Sequence, residues 1–147
     1  MEAHQAAADA IGLTLQRFPV RSAEDIAVAL STMDKEHADA IFVVPNGVVA
    51  TEVDRILRCA AERRLPTAFP IPRPVERGGF LSYCPSIAEL LSRVAALADR
   101  ILKGANPADL PFEYPTRFEL TINLKTARAL GIRLPQAVLL RADRLIE

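Results

Sequence analysis

Apolar and polar positions along this chain follow two periods, and each change of period marks an element. Residues 2–11 are alanine-rich with high helix propensity, and Gly12 stands directly after them as a C-cap. Residues 13–18 alternate apolar and polar, the pattern of a strand at a sheet edge. Ser22, with Asp25 three residues on, predicts a capping box for a helix that reaches about Glu36. The run Ala40-Ile41-Phe42-Val43-Val44 is continuously apolar and rich in β-branched residues, as in a central parallel strand buried on both faces. Pro45-Asn46-Gly47 ends it. The next helix spans 49–64, with Val53, Ile56, Leu57 and Ala60 on one face.

Residues 65–69 predict another short strand, and Pro70, Pro72 and Pro74 exclude regular structure just after it. A glycine pair, Gly78-Gly79, precedes the strand signal Phe80-Leu81-Ser82-Tyr83. Ser86 then caps a helix over 87–103 that Gly104 terminates. Leu90, Leu91, Val94, Leu97, Ala98, Ile101 and Leu102 give that helix a core face. Beyond a proline-containing connector, residues 118–123 alternate with period two and predict a strand. A short helix over 125–130 ends at Gly131, and Pro135 opens a last helical turn towards Ala142. Strands alternating with helices predict an α/β fold: a three-layer, Rossmann-like parallel sheet with flanking helices.

Composition narrows the function classes. A chain of 147 residues has the size of a single domain, 1–147, and 50% hydrophobic against 24% charged residues favours a packed core over disorder. Eighteen basic and eighteen acidic side chains cancel, and no basic stripe with interleaved aromatics is present, so nucleic acid is not an expected partner. No apolar run approaches the roughly 20 residues of a membrane span. Met1-Glu2-Ala3-His4-Gln5 has neither the basic nor the apolar region of a secretory signal, so a cytoplasmic location is expected if Met1 is the native start.

Candidate chemistry is sparse. Cys59 and Cys84 lack metal-ligand spacing and are expected to be free, small hydrophobes. His4 and His37 lie in polar helical surroundings without partner ligands, so no metal site is expected. Gly78-Gly79 lacks the third glycine of a dinucleotide fingerprint, and no phosphate loop or nucleophile elbow occurs. No cofactor and no enzyme activity are therefore expected. Asn46 and Gly47 follow the carboxyl end of the most apolar strand, where backbone amides can hold an anionic group or merely form a strand-to-helix turn. Ser82 and Tyr83 point to opposite faces of a regular strand, so only one of them faces a given cleft. Tyr83 then offers either a ring to a ligand or a core ring with a wet hydroxyl.

The last third of the chain carries a resemblance. The runs 101–111, 115–131 and 140–147, together with Arg77-Gly78-Gly79-Phe80-Leu81-Ser82-Tyr83-Cys84-Pro85 and 20–25, closely resemble the substrate-binding proteins of ABC transporters of the tryptophan/tyrosine uptake type. The resemblance implies a two-lobed, type I periplasmic-binding architecture that closes on a small organic solute such as an amino acid. Its implied partner in a full-length protein is an ABC permease, and its implied location is periplasmic. Against that pattern the chain reads as the C-terminal lobe and a lobe-crossing segment, with the first lobe, the signal peptide and a leading strand absent. By position, Asn46 and Gly47 are expected as polar ligand contacts, Tyr83 as a stacking surface and Ser82 as a hydrogen-bond donor. The 87–103 helix would lack its seat, so a homodimer through that helix is expected. A cytoplasmic dimeric remnant or interaction module without transport is the alternative.

Overall fold

A computed structural model describes residues 2–147. The order is α1 (Glu2–Ala10), α2 (Ala23–Lys35), β1 (Ile41–Phe42), α3 (Gly47–Thr51), α4 (Val53–Glu62), β2 (Thr67–Phe69), α5 (Arg73–Glu76) and β3 (Leu81–Pro85). Then come α6 (Ile87–Leu102), a 3-10 turn (Pro107–Asp109), β4 (Phe118–Asn123), α7 (Leu124–Leu130), α8 (Gln136–Arg141) and β5 (Arg144–Ile146). The five strands lie side by side in chain order. β1, β2 and β3 run parallel, β4 is antiparallel to β3, and β5 is parallel to β4. The sheet is thus mostly parallel with flanking helices, as the alternation of periods predicts.

Each face of this sheet carries its own apolar cluster. On one, Ile41, Val43 and Phe69 pack with Ile26, Ile56 and Val75. On the other, Ile122 packs with Phe80 and Ala127, backed by half-buried side chains of the last helices. Local chemistry starts several helices as read. Ser22 and Asp25 form the capping box, with the Asp25 N–H donating to Ser22 Oγ at 3.3 Å and the Ser22 N–H donating to Asp25 Oδ2 at 2.9 Å. A further N–H from Arg21 is the main reason that the Asp25 carboxyl is held below its ordinary range. Gly131 closes α7 at φ 72°, a left-handed cap that glycine adopts without steric cost.

Six expectations need correction. Residues 13–18 form no strand, because alternation yields a strand only where a neighbour completes the ladder, and none among the described residues pairs with them. β1 is not a central strand but a sheet edge of two residues that pairs with β2 alone among the described residues, leaving Phe42 and Val44 exposed. The single helix over 49–64 divides at Glu52 into α3 and α4. The proline segment does contain a helical turn, α5, since Pro72 and Pro74 occupy its N-cap and first turn, where a missing N–H costs nothing. Ser86 occupies the N-cap position of α6 but makes no side-chain cap bond. β5 corresponds to no expectation at all: it has no strand signal of its own and forms because β4 offers it a parallel edge.

The sixth concerns α6, whose apolar face is not a core face: no residue of the helix is buried. Ile87, Leu91 and Val94 are exposed, at spacings that place them on one side. What holds the helix to the rest of the chain is polar. Arg93 bonds Glu89 at 2.7 Å, Thr116 at 2.9 Å and Glu113 at 3.3 Å, strapping the connector along it. The Thr116 hydroxyl first, and Arg93 after it, hold the Glu89 carboxyl below its usual range.

Candidate functional site

The carboxyl ends of β1 and β2 open into a groove of about 250 Å³, just below the roughly 300–1,000 Å³ of small-molecule sites. Parallel strands leave such a crevice because each chain turns away into a helix at its carboxyl end. Val43, just past the end of β1, and Phe69, the last residue of β2, form its floor, with Val49 of α3 and Ile71 on its sides. Val43, Val49 and Phe69 are buried, so the floor is preformed by the core. Arg73 and Arg77, at the two ends of α5, supply the charge. Arg77 is ion-paired with Asp54 of α4.

α5 and the turn after it are held by residues of β2, β4, α7 and β5. Asn123 Nδ2 donates to the Val75 carbonyl at 2.9 Å, and the Asn123 N–H donates to the Phe80 carbonyl at 2.9 Å. The Thr126 hydroxyl donates to the Gly78 carbonyl at 2.9 Å, the Phe80 N–H donates to Thr67 Oγ1 at 3.0 Å, and Arg144 pairs with Glu76. Gly78 takes φ +112°, a conformation in which any side chain is strained. The second half of the chain thereby sets where Arg73 and Arg77 stand on the groove's rim.

The four residues singled out by position are not brought together. Asn46 lies between groove-lining Pro45 and Val49, but its amide serves the fold: Oδ1 accepts the Val49 N–H at 2.8 Å, and Nδ2 donates to the Val20 carbonyl at 3.1 Å. It is the N-cap of α3 in extended conformation. Gly47 is exposed at the first position of that helix, with open space where a side chain would stand. Ser82 is buried beside Phe69 on the neighbouring strand, and its Oγ has no hydrogen-bond partner among the described residues. Tyr83 faces the other side of the sheet, 56% exposed, and stacks on Phe118 with ring centroids 5.4 Å apart. The residues that sequence reasoning missed are Phe69, Arg73 and Arg77. The proline-rich segment after β2 was their signal, since a strand ending in a rigid turn beside two arginines builds a charged rim.

Ser82→Ala is expected to raise stability by about 1 kcal/mol, because a buried hydroxyl without a partner costs more desolvation than its packing returns. Urea unfolding with an unchanged m-value checks this, and a loss of stability would reveal a partner for Oγ. Cys59 and Cys84 are buried, Cys59 Sγ accepting from Arg63 at 2.6 Å, and burial pushes the Cys84 thiol up, away from the reactive thiolate. Among the described residues no group of three histidine, cysteine or carboxylate side chains could hold a metal ion. No helix among them is long and apolar enough to cross a membrane.

The family described as ABC transporter substrate binding protein matches residues 1–146. Comparison with curated proteins gave no match. Among solved structures, the chain is similar to an ABC domain in complex with L-Trp from Streptococcus pneumonia, at 30% identity and a TM-score of 0.86, covering 99% of this chain and 50% of that one. A conserved domain protein from Vibrio cholerae O1 biovar El Tor gives 26% identity and a TM-score of 0.86, with 99% and 49% covered. A substrate binding protein with adhesive properties from Clostridium difficile, in a ligand-free, open structure, shares the fold at 19% identity and a TM-score of 0.74, with 99% and 48% covered. The chain spans about half the length of these structures.

Proposed function

The chain belongs to the ABC transporter substrate binding protein family, and from that premise we propose that it forms one wall of a solute-binding cleft and binds a small organic solute, such as an amino acid, without chemical conversion. The groove at the carboxyl ends of β1 and β2 carries this reading: a preformed apolar floor with cations on its rim suits a small polar-headed solute. The Asn46-Gly47 turn borders that groove through Pro45 and Val49, and Asn46 keeps the turn in place through its cap. In this reading the solute passes to an ABC permease outside the cytoplasm, and residues 1–147 act as one lobe. The similar structure holding L-Trp supports an aromatic amino acid as a first ligand to try.

A thermal-shift screen of the chain against aromatic and branched-chain L-amino acids tests the reading. A ligand at a hundred times its Kd stabilises by about 2.7 kcal/mol, so a binder raises Tm by several degrees. The exposed apolar row of α6 favours a second reading, a module in which two copies cover each other's α6 and no solute binds. Absence of any shift across the screen rejects the first reading in favour of the second.

A further inference from the structure

The groove's charge is one-sided. Its lining contains two arginines and no aspartate or glutamate. Arg77 is already ion-paired with Asp54, whereas Arg73 makes no hydrogen bond or ion pair with any described residue. Arg73 stands in the first turn of α5, exposed at the rim, while Val43, Val49 and Phe69 lie buried beneath it. From this juxtaposition of an uncommitted guanidinium and an apolar floor, we infer that Arg73 holds the carboxylate of an apolar carboxylic acid whose hydrocarbon part lies on Val43, Val49 and Phe69. The inference rests on the solute-binding reading above and adds the charge class of the ligand and the residue that reads it.

Three physical points carry it. A guanidinium presents paired N–H donors that match both oxygens of a carboxylate, and such charge-assisted bonds are about twice as strong as neutral ones. The apolar floor strengthens that attraction by lowering the local dielectric. With no carboxylate in the lining, the same wall offers an ammonium group no partner. This wall therefore recognises the carboxylate and the side chain of a solute, and it is indifferent to an amino group beside them. A branched 2-oxo acid should engage it as well as the matching amino acid does.

Amide and guanidinium NMR of the full chain tests the inference with three isosteric probes: 4-methylvalerate, 4-methylpentylamine and the neutral 4-methylvaleramide. The expected result is that 4-methylvalerate shifts the Val49 and Phe69 amides and the Arg73 Nε resonance. The amine should leave all three unchanged. Arg73→Gln should weaken 4-methylvalerate binding about tenfold or more, and Arg73→Lys should recover part of the loss by restoring the charge. Because Arg73 is exposed, both variants are expected to keep the wild-type Tm, which separates a lost contact from a lost fold. Equal binding of the carboxylate and the neutral amide, or equal carboxylate binding by wild type and Arg73→Gln, overturns the Arg73 assignment while leaving a solute groove standing. If no probe shifts the groove amides, the assignment and the solute-binding reading fall together.

Discussion

Asn123→Ala is expected to lower the unfolding free energy by about 2–3 kcal/mol. Asn123 ends β4 and caps α7, its Oδ1 accepting the Thr126 N–H at 3.1 Å while Nδ2 reaches the Val75 carbonyl at 2.9 Å. Loss of the cap costs about 1 kcal/mol. Loss of the buried bond costs about another 1 kcal/mol, more if the vacated space stays open. The Val75 carbonyl retains the Gly78 N–H at 3.2 Å, which is why the total is not larger. A fall in the urea midpoint at constant m measures the effect, and a change below about 0.5 kcal/mol would contradict it. Asn123→Asp sharpens the test, since it keeps the capping oxygen but sets a carboxylate against a carbonyl in a buried site. It should be no more stable than the alanine variant. Both variants loosen the tie that holds α5, so solute affinity should fall as well.

Gly79→Ala should destabilise the chain by about 1–3 kcal/mol and weaken solute binding at the same time. A Cβ at position 79 would lie 2.8 Å from Phe69 Cε2 and 3.0 Å from the Pro74 carbonyl oxygen. Neither neighbour yields easily. Phe69 is 3% exposed and forms the groove floor, and the Pro74 carbonyl accepts the Gly79 N–H at 3.0 Å. The ring must therefore rotate into the groove or α5 must move outward, and either change reshapes the wall that carries Arg73. The paired measurement is Tm together with the 4-methylvalerate shifts. An unchanged Tm would mean that the packing here is looser than these distances indicate. The reason for glycine at 79 is thus steric, whereas at 78 it is the backbone angle.

The resemblance carried by the runs at 20–25, 77–85, 101–111, 115–131 and 140–147 agrees with the family match over residues 1–146 and with the fold of the similar structures. The site was less legible. Asn46 was correctly placed at the carboxyl end of a parallel strand, but its residue type signalled a cap, and the structure uses it as one. Ser82 and Tyr83 were correctly set on opposite faces of β3, yet neither lines the groove, because that groove opens at the ends of β1 and β2. Arg73 escaped notice because prolines at 70, 72 and 74 suggested an unstructured link, when two of them open a helical turn.

By itself the sequence determined the elements whose causes lie within a few residues: the capping box at Ser22, the left-handed cap at Gly131, the alternation of β4 and the amphipathic stripe of α6. These depend on hydrogen bonds and side-chain periods internal to one segment. Only the tertiary structure decided which patterned segments acquire partners. Residues 13–18 and 40–44 both carry strand signals, but a ladder needs a second chain edge, so the first stays irregular and the second shortens to an edge strand. The stripe on α6 is written in its sequence, but its burial requires a surface that residues 2–147 do not supply. The groove likewise arises from the convergence of strand ends with α5, held by Asn123, and a glycine pair, held by Thr126, contacts between positions up to 48 apart that no local pattern encodes.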